Sequence, residues 1–121
     1  MDLVTSTRQS GSVTIVDVTG RIVLGEESAS LRNLVNDLLS KGQNKILFNL
    51  GEVDYIDTSG LGFLTGTLIV ARKRGGEVKL LNLTKKIQDV MQITKLYTVF
   101  DILDDEATAV RSFSQAATAT S

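Results

Sequence analysis

The chain has 121 residues, enough for one compact domain, with 42% hydrophobic residues and a formal net charge of −1. Near-neutral charge and 5% aromatic content leave neither the basic footprint nor the stacking platform of a nucleic-acid binder. Cys and His are both absent. That excludes disulfides, thiolate chemistry, Cys-based zinc sites, and Ser-His-Asp or Cys-His catalysis within this chain.

Residues 3–9 and 12–19 read as two strands joined by a Ser10-Gly11 turn. Residues 20–25, including Arg21 and Leu24, read as an irregular crossing segment. A helix is expected over 26–41, where Leu31, Leu34, Val35, Leu38 and Leu39 form one apolar stripe and Gly42 supplies the C-cap. Residues 45–50 form a nearly continuous apolar run, the pattern of a strand covered on both faces. A loop is expected over 51–56, with Val53 and Ile56 as inward anchors. A second helix follows over about 59–74, with Leu61, Leu64, Leu68 and Ala71 along one face. Phe63, Ile69 and Val70 widen that face, so much of this helix is expected to be buried. Gly75-Gly76 stops it, and Arg72, Lys73 and Arg74 complement its dipole.

Residues 77–83 read as a strand. Thr84 caps a helix over 85–93, residues 99–102 form a short edge strand, and Asp104 caps a last helix over 105–113. Residues 114–121 are only Ser, Gln, Ala and Thr and are expected to be disordered. The order β-β-α-β-α-β-α-β-α predicts an α/β domain over 1–113: a mixed, mostly parallel sheet with an N-terminal hairpin, packed against about four helices. No basic-then-apolar leader and no membrane-length apolar run are visible, so a cytoplasmic chain without membrane insertion is expected.

Asp57-Thr58-Ser59-Gly60-Leu61-Gly62 lies where a strand and loop give way to a helix. Asp, Thr and Ser are preferred N-cap residues, and local spacing alone favours a simple cap. Three functional readings compete. An aspartic-protease dyad half is interrupted by Ser59. A phosphate cradle at the helix N-terminus lacks the Gly-x-x-x-x-Gly-Lys motif and meets a repelling Asp57. The third is Ser59 as a phosphorylation site on a recognition surface.

Over residues 3–113 the chain resembles the STAS-domain family, specifically the stand-alone bacterial anti-sigma factor antagonists. The residues carrying the likeness are Ile46-Leu47-Phe48-Asn49-Leu50, Val53, and Tyr55-Ile56-Asp57-Thr58-Ser59-Gly60-Leu61-Gly62. The strand Val78-Lys79-Leu80-Leu81-Asn82-Leu83 and the segment from Met91 to Phe100 fit as well. Asn49 stands where Asp is common in the family, and only a local effect is expected.

The resemblance implies a non-enzymatic switch without cofactor or metal. Ser59 would be phosphorylated by an anti-sigma factor serine/threonine kinase, with Thr58 a weaker candidate, and a phosphatase would reset it. The implied partner surface is Asp57, Thr58, Ser59 and Gly60, with the neighbouring Arg21 and Leu24. Leu61 and Phe63 are expected in the core. A monomer or weak homodimer is expected. The alternatives are a STAS subunit of a lipid-transport or stressosome-type complex without a phosphoswitch, and nucleotide binding by the domain itself. The second lacks a phosphate-binding motif and a base.

Overall fold

The computed structural model describes residues 3–23 and 26–119. Two strands, β1 (Val4–Ser10) and β2 (Val13–Ile22), open the chain as a hairpin. They are followed by α1 (Glu26–Ser40), β3 (Lys45–Ile56), α2 (Thr58–Lys73), β4 (Glu77–Leu81), α3 (Lys85–Thr94), β5 (Asp101–Leu103) and α4 (Glu106–Ala119). A single 3-10 turn, Leu96–Thr98, links α3 to β5.

The sheet order is β1-β2-β3-β4-β5. Only the β1–β2 pair is antiparallel; the other three pairs are parallel. Each crossover therefore steps one strand in the same direction. Crossovers of one hand that advance one way place their helices on one face. Accordingly α1, α2 and α3 share one core with the sheet, centred on Leu31, Phe48, Leu64 and Ile87. Among the described residues only α4 lies on the other face, where Ala109 and Phe113 pack on Val13, Ile15, Leu47 and Leu81. This two-sided cover explains why Ile46, Leu47 and Phe48 are all fully buried.

The predicted architecture is thus observed, with local corrections. Residues 51–56, expected as a loop, continue β3. Asp17 pairs with Asn49 but Thr19 with Glu52, and Gly20 pairs with Val53 but Arg21 with Tyr55. Each shift places one extra β3 residue against β2, as in a β-bulge. The bulges absorb Gly51 and Asp54, the residues that made the segment look like a loop. Ile69 and Val70 are 50% and 36% exposed, not buried. The buried stripe of α2 runs through Leu61, Leu64, Leu68 and Ala71, and Ile69 lies about 100° around the helix from it. Asp105, not Asp104, caps α4: its Oδ2 accepts from Thr108 N at 2.9 Å and from Thr108 Oγ1 at 2.7 Å. Those bonds, the side-chain one foremost, hold the Asp105 carboxyl below its usual range. Thr84 stands at the N-cap of α3 without capping it; its Oγ1 donates instead to Val53 O at 2.9 Å. The last helix runs past Phe113 to Ala119, a stretch that includes three strongly helix-forming alanines. Residues 120 and 121 of the expected tail lie outside the described residues.

Face-to-face contacts reinforce the sheet. Arg8 on β1 bridges Asp17 Oδ2 at 2.7 Å and Glu106 Oε1 at 2.7 Å, tying the hairpin to α4. The buried Lys79 donates to Ser112 Oγ at 2.9 Å and Ser112 O at 3.2 Å, pinning α4 to β4. Asn49 donates to Asp17 Oδ1 at 2.8 Å and accepts from Gly51 N at 3.2 Å. The Arg8 bond first, and the Asn49 bond after it, hold the Asp17 carboxyl below the usual carboxylate range. A carboxylate at position 49 would face Asp17 with like charge, so Asn suits this local network.

Candidate functional site

The site forms where the long β2–β3 ribbon meets the first turn of α2. Asp57 has extended backbone angles and is the N-cap. Its Oδ1 accepts from Gly60 N at 2.8 Å and its carbonyl accepts from Leu61 N at 2.9 Å. One otherwise unsatisfied first-turn donor is thereby used. Asp57 N in turn donates to Ile22 O at 3.2 Å, which anchors the cap to the end of β2.

Gly60 explains why this junction is so close. A Cβ there would strike the Ile22 carbonyl oxygen and lie 2.7 Å from Ile56 Cγ1 and 2.9 Å from Ile22 Cγ2. Only a residue without a side chain lets α2 start against β2. Gly62 and Gly66 differ: a Cβ on either meets nothing within 4 Å.

With Asp57 and Gly60 engaged in the junction, Thr58 and Ser59 occupy the first two helical positions and are exposed. Ser59, Gly62, Phe63, Gly66 and Val70 follow one another at helical spacing. From Gly62 onward this stripe borders a groove of about 580 Å³ against α1, rimmed by Arg32 and Arg74. Leu61 is buried as expected. Phe63 is only half-buried; it makes an edge contact with Phe48, centroids 6.3 Å apart, and lines the groove.

On the adjoining strands Arg21 pairs with Tyr55, and its guanidinium stacks over the Tyr55 ring at 4.7 Å from the centroid. Tyr55 is 45% exposed. The structure therefore brings Arg21 beside the Asp57 junction, while Leu24 lies outside the described residues. Tyr55 was missed as a surface residue. Its signal was an aromatic residue two positions before the motif, between the anchors Val53 and Ile56, on a segment read as loop. Among the described residues no group of three or more potential ligands could hold a metal, and no helix is long and apolar enough to cross a membrane.

The STAS-domain model matches residues 5–109. The chain belongs to the STAS-domain family. It is 40% identical over 53 residues to the anti-sigma-B factor antagonist of Bacillus subtilis, covering 44% of this chain and 49% of that one. A Thermotoga neapolitana protein, a candidate anti-sigma factor antagonist, is 33% identical over 69 residues, covering 57% and 61%. These matches span about half to three fifths of the relatives' lengths. Among solved structures, a candidate anti-sigma factor antagonist from Thermotoga maritima superposes with a TM-score of 0.84 at 25% identity, covering 90% of this chain and 93% of that one. SpoIIAA of Bacillus, solved in its phosphorylated form, has a TM-score of 0.72 at 17% identity, covering 90% and 98%; that likeness is one of fold.

Proposed function

We propose that the protein is an anti-sigma factor antagonist that binds an anti-sigma factor kinase and is switched off by phosphorylation of Ser59. The observation that carries this reading is an exposed Ser59 hydroxyl at the second position of α2, held there by the Asp57 cap and the close Gly60 contact. The name of the Bacillus subtilis relative supports the partner class. With no His or Cys in the chain, the hydroxyl is acted upon. The partner supplies base, nucleotide and metal, and a separate phosphatase restores the serine. Thr58, also exposed, is the secondary acceptor.

The electrostatics favour a local block over a refolding switch. A phosphoserine adds about −1.5 to −2 charge. The α2 N-terminus attracts it by roughly 0.3–1 kcal/mol. Repulsion from Asp57 two residues away, screened by water, is of order 1 kcal/mol. These terms nearly cancel, so the fold is unchanged. In a bound complex the same phosphate must shed its water without a counter-charge, which costs several kcal/mol.

The contact surface comprises the Asp57–Gly60 turn, the Arg21–Tyr55 pair at the end of β2 and β3, Leu24 two residues beyond β2 in sequence, and the α2 stripe beyond Ser59. Titration calorimetry of Ser59→Ala and Ser59→Asp against the anti-sigma kinase tests the block. Ser59→Ala should bind as the unmodified protein does, and Ser59→Asp should bind about a hundredfold or more weaker. Equal affinities would overturn it.

A further inference from the structure

Away from Ser59, a cleft of about 810 Å³ opens at the carboxyl ends of β4 and β5. Its position follows from topology. β4 leads into α3, whose Ile87 and Met91 join the core on one face. β5 leads into α4, whose Ala109 and Phe113 pack on the other. Adjacent parallel strands whose connections leave to opposite faces create a crevice, and such switch points are where open α/β sheets bind small molecules.

Three carboxamides at this crevice each spend one N–H on the protein, which fixes how each amide is turned. Asn49 Nδ2 donates to Asp17 Oδ1, Asn82 Nδ2 to Asn49 Oδ1 at 3.4 Å, and Gln88 Nε2 to Leu83 O at 3.1 Å. These orientations follow from backbone groups with only one role: Gly51 N must donate to Asn49 Oδ1, and Leu83 O must accept from Gln88. Other donors are spent too: Asn82 N on Leu103 O at 2.9 Å and the Thr84 hydroxyl on Val53 O.

The formal charge lining the cleft is negative, the carboxylates of Glu52 and Asp104, beside the amides of Asn82 and Gln88, whose oxygens can accept. Neither carboxylate has a hydrogen bond or ion pair among the described residues. Among the described residues no Lys or Arg lines the cleft. The Gln92 amide and the Tyr97 hydroxyl can serve either way, and Leu83, Met91 and Ile102 supply apolar wall. Asn82 itself holds a left-handed backbone, φ 59°, which turns the chain out of β4 beneath the cleft.

We infer that this crevice binds a small alkyl cation rich in hydrogen-bond donors, an alkylguanidinium or alkylamine. The carboxylates and amide oxygens receive the charged head, and the apolar wall receives its chain. The same charges reject phosphate-bearing ligands, so this is not a nucleotide site. The inference is independent of the role given to Ser59.

The test is a two-dimensional 15N–1H NMR titration of the full chain with agmatine. Three arms run in parallel: ATP, N-acetyl-arginine amide, and the Glu52→Gln/Asp104→Asn variant with agmatine. Saturable shifts at the Asn82, Gln88 and Asp104 amides are expected, weakened about tenfold in the doubly neutralised variant and by added salt. ATP should leave these amides unmoved. Absence of saturation with agmatine, equal binding by the variant, or shifts with ATP at the same amides would overturn the inference. Binding of the capped arginine in preference to agmatine would also overturn it, since it would place the cation on a protein chain.

Discussion

Replacing Gly60 by Ala tests the junction that presents Ser59. In an unobstructed helix the exchange gains about 1 kcal/mol. At Gly60 the new methyl meets the Ile22 carbonyl oxygen and lies 2.7 Å from Ile56 Cγ1 and 2.9 Å from Ile22 Cγ2. None of these yields easily. Ile22 and Ile56 are 1% and 5% exposed, and the carbonyl is already bonded to Asp57 N. Overpacking of such a site costs about 1–3 kcal/mol or more. Because the clash is with backbone, the upper figure of about 3 kcal/mol applies; subtracting the helical gain leaves a net loss of about 2 kcal/mol, or roughly 8 °C in Tm at about 4 °C per kcal/mol. Gly62→Ala and Gly66→Ala serve as internal controls of opposite sign. Their methyls meet nothing within 4 Å, so each should stabilise by about 0.5–1 kcal/mol. Urea denaturation followed by circular dichroism measures all three. A Gly60→Ala protein as stable as the parent, or Gly62→Ala as damaging as Gly60→Ala, would refute the close-approach account.

Four further outcomes are expected. Asp57→Ala removes the cap on Gly60 N and should lower stability by about 1 kcal/mol in urea denaturation, with Asp57→Asn milder. Because Arg8 and Asn49 depress the Asp17 carboxyl below its usual 3.8, its contribution is present above that value and is lost as pH falls through the lower folded value. Acid titration of stability should therefore show a smaller loss below about pH 4 in Arg8→Met than in the parent. Lys79→Ala opens space beneath α4 and removes the donor to Ser112; a loss of about 2–3 kcal/mol is expected, with faster amide exchange concentrated in α4. Arg21→Ala and Tyr55→Ala remove an exposed stacked pair, so unfolding should change by about 0.5 kcal/mol or less while affinity for the anti-sigma partner falls several-fold.

The fold was legible wherever local pattern and tertiary role agree. The stripe of α1, the continuous apolar run of β3 and the glycine stops all report burial or backbone freedom that a short window contains. What was not legible came from distant partners. Residues 51–56 are a strand because β2 runs beside them, and the two bulges accommodate the polar and glycine residues that argued for a loop. Ile69 and Val70 lie off the stripe that faces the core. In the sequence Gly60 is one residue of the Asp57 motif, yet its need is set by Ile22, which lies 38 residues earlier in the chain. Of the surface expected from sequence, Arg21, Thr58 and Ser59 are exposed, while Gly60 is buried in the junction. Tyr55 escaped because its exposure follows from a strand that was not foreseen.

The central claim is that Ser59 is the group on which the partner acts. Incubating the protein with its anti-sigma kinase, ATP and Mg²⁺, then mapping the modified peptide by mass spectrometry, addresses it directly. The account predicts one phosphate on Ser59, no transfer to Ser59→Ala beyond a minor fraction on Thr58, and a modified protein that keeps its parent stability. Phosphate placed elsewhere with Ser59 untouched, or efficient transfer to the Ser59→Ala protein, would contradict it.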